Sequence, residues 1–78
     1  MTHSEFLIAV DDEFGSLQGR TIVRDLVLDE LAQDTPQQAL ARGVSPRDVW
    51  MALCRAMNVP IERWHGAGLP HPPRDTPA

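Results

Sequence analysis

The sequence predicts an all-α fold: a compact bundle of four short helices with a helix-turn-helix-like corner between the third and the fourth. Two observations predict it. Apolar residues recur at helical spacing in four stretches, and most of those stretches are bracketed by residues that start and stop helices. A third observation concerns what holds the fold together. Cys54 is the single cysteine, so no internal disulfide is available and 78 residues must rely on one apolar core. A chain of this size buries roughly 60% of the surface its unfolded form exposes, enough for one modest core.

Each element has its own signals. Thr2 and Glu5 are spaced as a capping box, with Met1 and Phe6 placed as a hydrophobic staple and Ser4 as a rival cap. Phe6, Leu7, Val10 and Phe14 then define one buried face, and Gly15 stops the first helix. The second helix is expected from about Leu17 to Ala32, with Gly19 in its first turn allowing close packing or a late start. Its residues Leu17, Ile22, Val23, Leu26, Val27, Leu28 and Leu31 surround most of the circumference, the pattern of a central helix. Thr35, Pro36 and Gln38 open a short third helix that Gly43 closes, and Ser45, Pro46 and Asp48 open the fourth. There Val49, Trp50, Leu53 and Met57 form a stripe, flanked by Ala52, Cys54 and Ala56, and Asn58 ends it before Pro60. One further turn over Ile61–Trp64 is expected to fold Trp64 back on the core. A single domain is expected over residues 1–65, followed by a Pro/Gly-rich tail at 66–78 that is expected to be disordered.

Charge is uneven. Residues 1–33 carry net −5, residues 34–58 net +1 and the remainder balances, for a total of −4. Such a chain gets no electrostatic help toward nucleic acid or an anionic membrane. The longest apolar run, Phe6 to Val10, is too short for a membrane span or a secretory signal, so the protein is expected to be cytoplasmic. His3, His65 and His71 lie far apart with no second cysteine, so no metal is expected.

The stretch Thr35–Leu53 places Ala39, Gly43, Val44, Ser45, Val49 and Leu53 at A-x-x-x-G-V-S-x-x-x-V-x-x-x-L. This is similar to the helix-turn-helix of bacterial repressors: a small residue lets two helices approach, glycine turns the chain, and two valines fill the corner. As a recognition helix, the fourth would present Arg47, Trp50 and Met51 outward. As a packing corner, it would turn Trp50 and Met51 inward, both being poor choices for solvent. Charge favours the second, because Arg47 and Arg55 are offset by Asp48 and phosphate neutralisation dominates DNA affinity.

Other residues have packing readings beside functional ones. Trp64 is either core or an exposed interface anchor. Asp11, Asp12 and Glu13 form a solvated face or a docking patch for a basic partner. Arg24 falls close to the Leu17–Leu28–Leu31 stripe and is expected to be part-buried and paired, and Cys54 to be a buried, inert thiol. Neither an activated nucleophile nor a phosphate cradle is recognisable.

Several stretches together resemble a known family: Ser4-Glu5-Phe6, Phe14-Gly15, Arg24 to Leu28 with Leu31, Gly43 to Trp50, Ala52 to Cys54, Val59-Pro60 and Trp64. They look like a small actinobacterial domain of unknown function, DUF3046, over about residues 4–65, with Val44–Cys54 the most specific piece. Leu7 follows Phe6 where that family frequently has an aromatic. The resemblance implies a short helical protein with no catalytic residues to carry over. Relatives are commonly encoded near the recombination-repair recombinase and its regulator, which implies a link to DNA metabolism.

The expected function is therefore a non-enzymatic interaction module for a protein partner, without cofactor, metal or membrane. The alternative is a helix-turn-helix-like DNA-associated protein linked to recombination and repair. The candidate surface comprises Arg47, Met51, Arg55 and Trp64, with Asp11, Asp12 and Glu13.

Overall fold

The computed structural model describes residues 1–64. They form α1 (His3–Phe14), α2 (Ser16–Asp25), α3 (Pro36–Ala41) and α4 (Pro46–Ala56), with 3₁₀ turns at Asp29–Leu31 and Ile61–Arg63. Among the described residues the only extended pairing is an isolated antiparallel bridge between Leu28 and Asp34. The expected domain end at 65 and the tail at 66–78 lie outside the described residues.

The caps form as the sequence requires. Thr2 accepts from the Glu5 amide at 3.1 Å while the Glu5 carboxylate accepts from the Thr2 amide at 2.8 Å. Ser4 lies inside α1 rather than capping it. Thr35 and Gln38 repeat the same reciprocal pair at the start of α3, and Ser45 accepts from the Asp48 amide to open α4. Both α3 and α4 close by the same device. Gly43 takes φ 100° and the Val44 amide reaches back to Ala39 at 3.0 Å; Asn58 takes φ 58° and the Val59 amide reaches Cys54 at 2.9 Å. Each is a left-handed helix stop followed by a buried or half-buried valine.

The central helix is α4, not α2. Val49, Trp50, Ala52, Leu53 and Cys54 are all buried in it. Phe6 and Trp50 meet edge to face with ring centroids 6.4 Å apart, and Ala9, Val10, Ile22, Leu28, Leu31, Ala39 and Val59 complete the core. The buried face of α1 is Phe6, Ala9 and Val10, with Phe14 packed at its edge. Leu7, expected on that face, is 44% exposed instead: it stands one flank round toward α2, at the edge of a groove with Arg20, Val23 and Arg24.

The one residue between α1 and α2 is Gly15, at φ 84° and ψ 154°, so the second helix turns back on the first. Gly19 is what lets them approach. A Cβ there would lie 2.8 Å from Val10 Cγ1.

The expected helix from Leu17 to Ala32 ends at Asp25. Helical geometry would carry Leu28 round to the side of Leu17, away from Gly19 and Ile22. Extended backbone instead alternates side chains: Leu26 turns toward the core, Val27 outward at 54% exposure, and Leu28 inward at 3%. Burial of Leu28 and Leu31 wins over helix propensity, and Leu17 is left 84% exposed. The chain then reverses through Ala32 and Gln33, both at positive φ, and closes with the Leu28 amide donating to Asp34 at 3.0 Å.

Candidate functional site

The corner between α3 and α4 is built as its spacing implies. Ala39 and Val49 are fully buried, and Val44 packs half-buried between them and solvent. Of the three residues a recognition helix would turn outward, Arg47 is exposed and Met51 half-buried. Trp50 is not outward. It is 2% exposed, and its indole Nε1–H donates to the Trp64 carbonyl at 2.5 Å, so its polar edge is satisfied inside the fold.

Beside the corner lies a cleft of about 410 Å³ whose apolar floor is Leu31, Val44 and Met51 and whose rim holds Glu30, Arg42, Asp48 and Arg55. The reversed loop Leu28–Asp34 forms its far wall, and two arginines fasten that wall to the corner. Arg42 donates to the Asp34 carboxylate at 2.5 Å and to the Leu31 carbonyl at 3.2 Å. Arg55 grips Glu30 through both Nε and Nη2, at 2.9 and 2.6 Å to Oε1. That hydrogen bond holds the Glu30 carboxyl below its ordinary value, against the opposing pull of desolvation, and raises the Arg55 guanidinium. Both partners are about half exposed, and ion pairs in such settings add little stability. Their effect is geometric: they fix the wall.

The same Glu30–Arg55 pair borders a second cleft of about 260 Å³ lined by Val27, Leu28, Ala52 and Ala56. The Arg55 guanidinium also sits 5.9 Å from the centre of the Trp64 ring. Trp64 itself is half-buried, with its Nε1–H donating to the Val59 carbonyl at 2.8 Å. It is therefore a partly packed ring with the Arg55 guanidinium over it.

The remaining sequence candidates are scattered. Glu13 is mostly buried and paired with Arg63 at 2.7 Å, tying the last turn to α1, so it does not share the solvated role of Asp11 and Asp12. Asp11 and Asp12 are exposed on α1. Arg24, expected to be part-buried, is well exposed and pairs with its neighbour Asp25, because the early end of α2 removes the stripe it would have lain against. Cys54 is fully buried, and that burial pushes its thiol up to about 12. Among the described residues, no three His, Cys, Asp or Glu side chains gather in a metal-binding cluster, and no helix is long and apolar enough to cross a membrane.

The structure thus joins Met51 and Arg55 in one cleft, places Arg47 on the same helix, sets Trp64 behind Arg55, and leaves the acidic group elsewhere. Sequence reasoning missed Glu30, Leu31, Arg42 and Asp48 as neighbours of Met51. Nothing local marks them: Arg42 meets Asp34 and Leu31 only because the loop before α3 folds back on the end of that helix.

A family model described as "Protein of unknown function (DUF3046)" matches residues 1–62. No curated protein and no solved structure matches the chain.

Proposed function

We propose that this chain, which belongs to the DUF3046 family of unknown function, is a non-enzymatic protein-interaction module. Its docking site is the cleft at the α3–α4 corner, and the occupant is a partner segment that inserts one apolar side chain between Leu31, Val44 and Met51. A single observation supports this above all: a part-exposed apolar floor lying between two ion pairs, Arg42–Asp34 and Arg55–Glu30. An apolar anchor in a pocket with a polar rim is the usual anatomy of a binding hot spot. The rim is charge-balanced, with Arg42 and Arg55 set against Glu30 and Asp48, which suits a polar peptide better than a polyanion.

The test is cross-linking from a photoreactive residue at position 51 in cells, followed by identification and reconstitution of the captured protein. A stoichiometric complex that Met51→Glu abolishes and Arg20→Glu leaves intact is the expected result. Equal recovery with Met51→Glu, or no stoichiometric partner, overturns the proposal. Titration into labelled duplex at low salt separates the nucleic-acid reading: binding there that Arg47→Ala weakens would replace a protein partner with DNA.

A further inference from the structure

Independently of the corner cleft, we propose that the outer face of the α1–α2 pair seats a second copy of this chain in a two-fold dimer. That face carries exposed apolar side chains: Leu7 and Ile8 on α1, each a little under half exposed, and Leu17 on α2, 84% exposed. It also carries opposite charges on its two helices. Leu7 and Asp11 share one side of α1, with Asp12 next to them, while Leu17, Arg20 and Arg24 share one side of α2. Leu7, Asp11, Arg20, Val23 and Arg24 border a single groove of about 270 Å³. Yet no ion pair within the chain joins its acids to its arginines. Among the described residues, Asp11, Asp12 and Arg20 have no ion-pair partner, and Arg24 has only its exposed neighbour Asp25.

The register inside the pair decides how two copies meet. Val10 stands beside Gly19, so residues near 11 and near 18 lie at the same height. A two-fold axis parallel to the helices keeps that height and exchanges the helices. It lays α1 of one copy over α2 of the other. Asp11 and Asp12 then come within an arginine's reach of Arg20 of the partner subunit, Leu7 lies over Val23 of the partner subunit, and symmetry makes each contact twice. An axis across the helices would stack α1 on α1 and set acids against acids, which is repulsive.

The footprint is small. Twelve residues of α1 span about 18 Å at 1.5 Å per residue, and two helices are roughly 20 Å wide. The area is below the about 800 Å² per partner of a standard stable interface. The dimer is therefore weak, favoured by high concentration and low salt.

Sedimentation equilibrium of the full chain from about 10 μM to about 1 mM, a range that covers weak specific association, tests this. The expected result is reversible dimerisation that salt weakens. Arg20→Asp or Asp11→Arg alone lowers the association constant by about tenfold or more, and the Asp11→Arg/Arg20→Asp double variant restores it to within about threefold. Circular dichroism confirms that each exposed substitution leaves the helices folded, and Met51→Glu leaves dimerisation unchanged, so failure here and failure at the corner are separate results. A monomer throughout the range at low salt overturns the proposal, as does a dimer indifferent to the single swaps or a double swap that does not rescue.

Discussion

Replacing Gly19 by alanine should destabilise this protein, although alanine is the better helix former. In an open helix interior the exchange would stabilise by about 0.5–1 kcal/mol. Here the added Cβ meets Val10 Cγ1 at 2.8 Å, with the Val10 carbonyl oxygen at 3.4 Å and Asp11 Oδ1 at 3.5 Å. Only the first contact is prohibitive, and it is hard to relieve. Val10 is 1% exposed, and a β-branched side chain in a helix has essentially one comfortable rotamer. Forcing a methyl group into a closed contact costs about 1–3 kcal/mol. Subtracting the helix gain leaves a net loss of up to about 2.5 kcal/mol, or a melting temperature lower by about 4–8 °C for each kcal/mol in a domain of this size. Urea titration followed by circular dichroism reads it as a lower midpoint with an unchanged slope. The Val10→Ala background provides the control. Without Cγ1 the clash is absent, so the same glycine exchange should become neutral or stabilising there, and the two effects should be strongly non-additive. A higher midpoint for Gly19→Ala in the wild-type background would refute the close approach of α1 and α2.

Other substitutions probe the remaining joints. Gly15→Ala meets no neighbouring atom within 4 Å, yet φ 84° with ψ 154° is a region alanine avoids, so thermal melting should show a loss of about 1–3 kcal/mol. Thr35→Ala removes the acceptor that caps α3 and should cost about 1 kcal/mol, with Thr35→Ser recovering most of it in the same melts. Cys54 makes a distinct alkaline prediction. Burial, helped by nearby Glu13 and opposed by Arg55, pushes its thiol from 9.0 to about 12, so the folded state holds a proton that the unfolded state releases. Stability is then full below pH 9 and falls as pH climbs from 9 toward 12. With no lysine or tyrosine in the chain, Cys54→Ala should flatten that alkaline slope in urea titrations, and native protein at pH 8 should resist thiol reagents that label the unfolded chain at once.

How much of this was legible in the sequence depends on where the signal was local. Caps and stops are local chemistry. Thr2, Thr35 and Ser45 each satisfy an amide three residues on, and Gly43 and Asn58 each hold a backbone that other residues resist, so α1, α3 and α4 could be delimited from residue types alone. The segment Leu26–Leu31 carried no such punctuation. Its run of leucine and valine fits a buried helix and a buried strand equally by composition, and only the position of the core, set by Trp50 and Leu53 from α4, decides that Leu28 must alternate with Val27. Reading it as helix made α2 the centre, put Arg24 against a stripe that does not exist, and hid the loop that becomes the cleft wall. Met51 and Arg55 were found because they lie on one face of α4. Glu30 and Arg42 were missed because their approach depends on a chain reversal at Ala32 and Gln33, two residues whose types do not demand positive φ. Leu7 and Leu17 illustrate the opposite error: apolar residues were assigned to the interior when the fold leaves them on one outer face.

The arrangement rests on Trp50 being plugged into the centre, leaving Met51 half-buried in the cleft and Arg55 on its rim. Fluorescence of Trp64→Phe, which keeps Trp50 as the single tryptophan, measures this without a partner or ligand. A blue-shifted emission that acrylamide scarcely quenches until urea unfolds the chain is the expected outcome. Emission and quenching in the native protein equal to those of the unfolded chain would place the ring in water, and both the core and the cleft beside it would have to be abandoned.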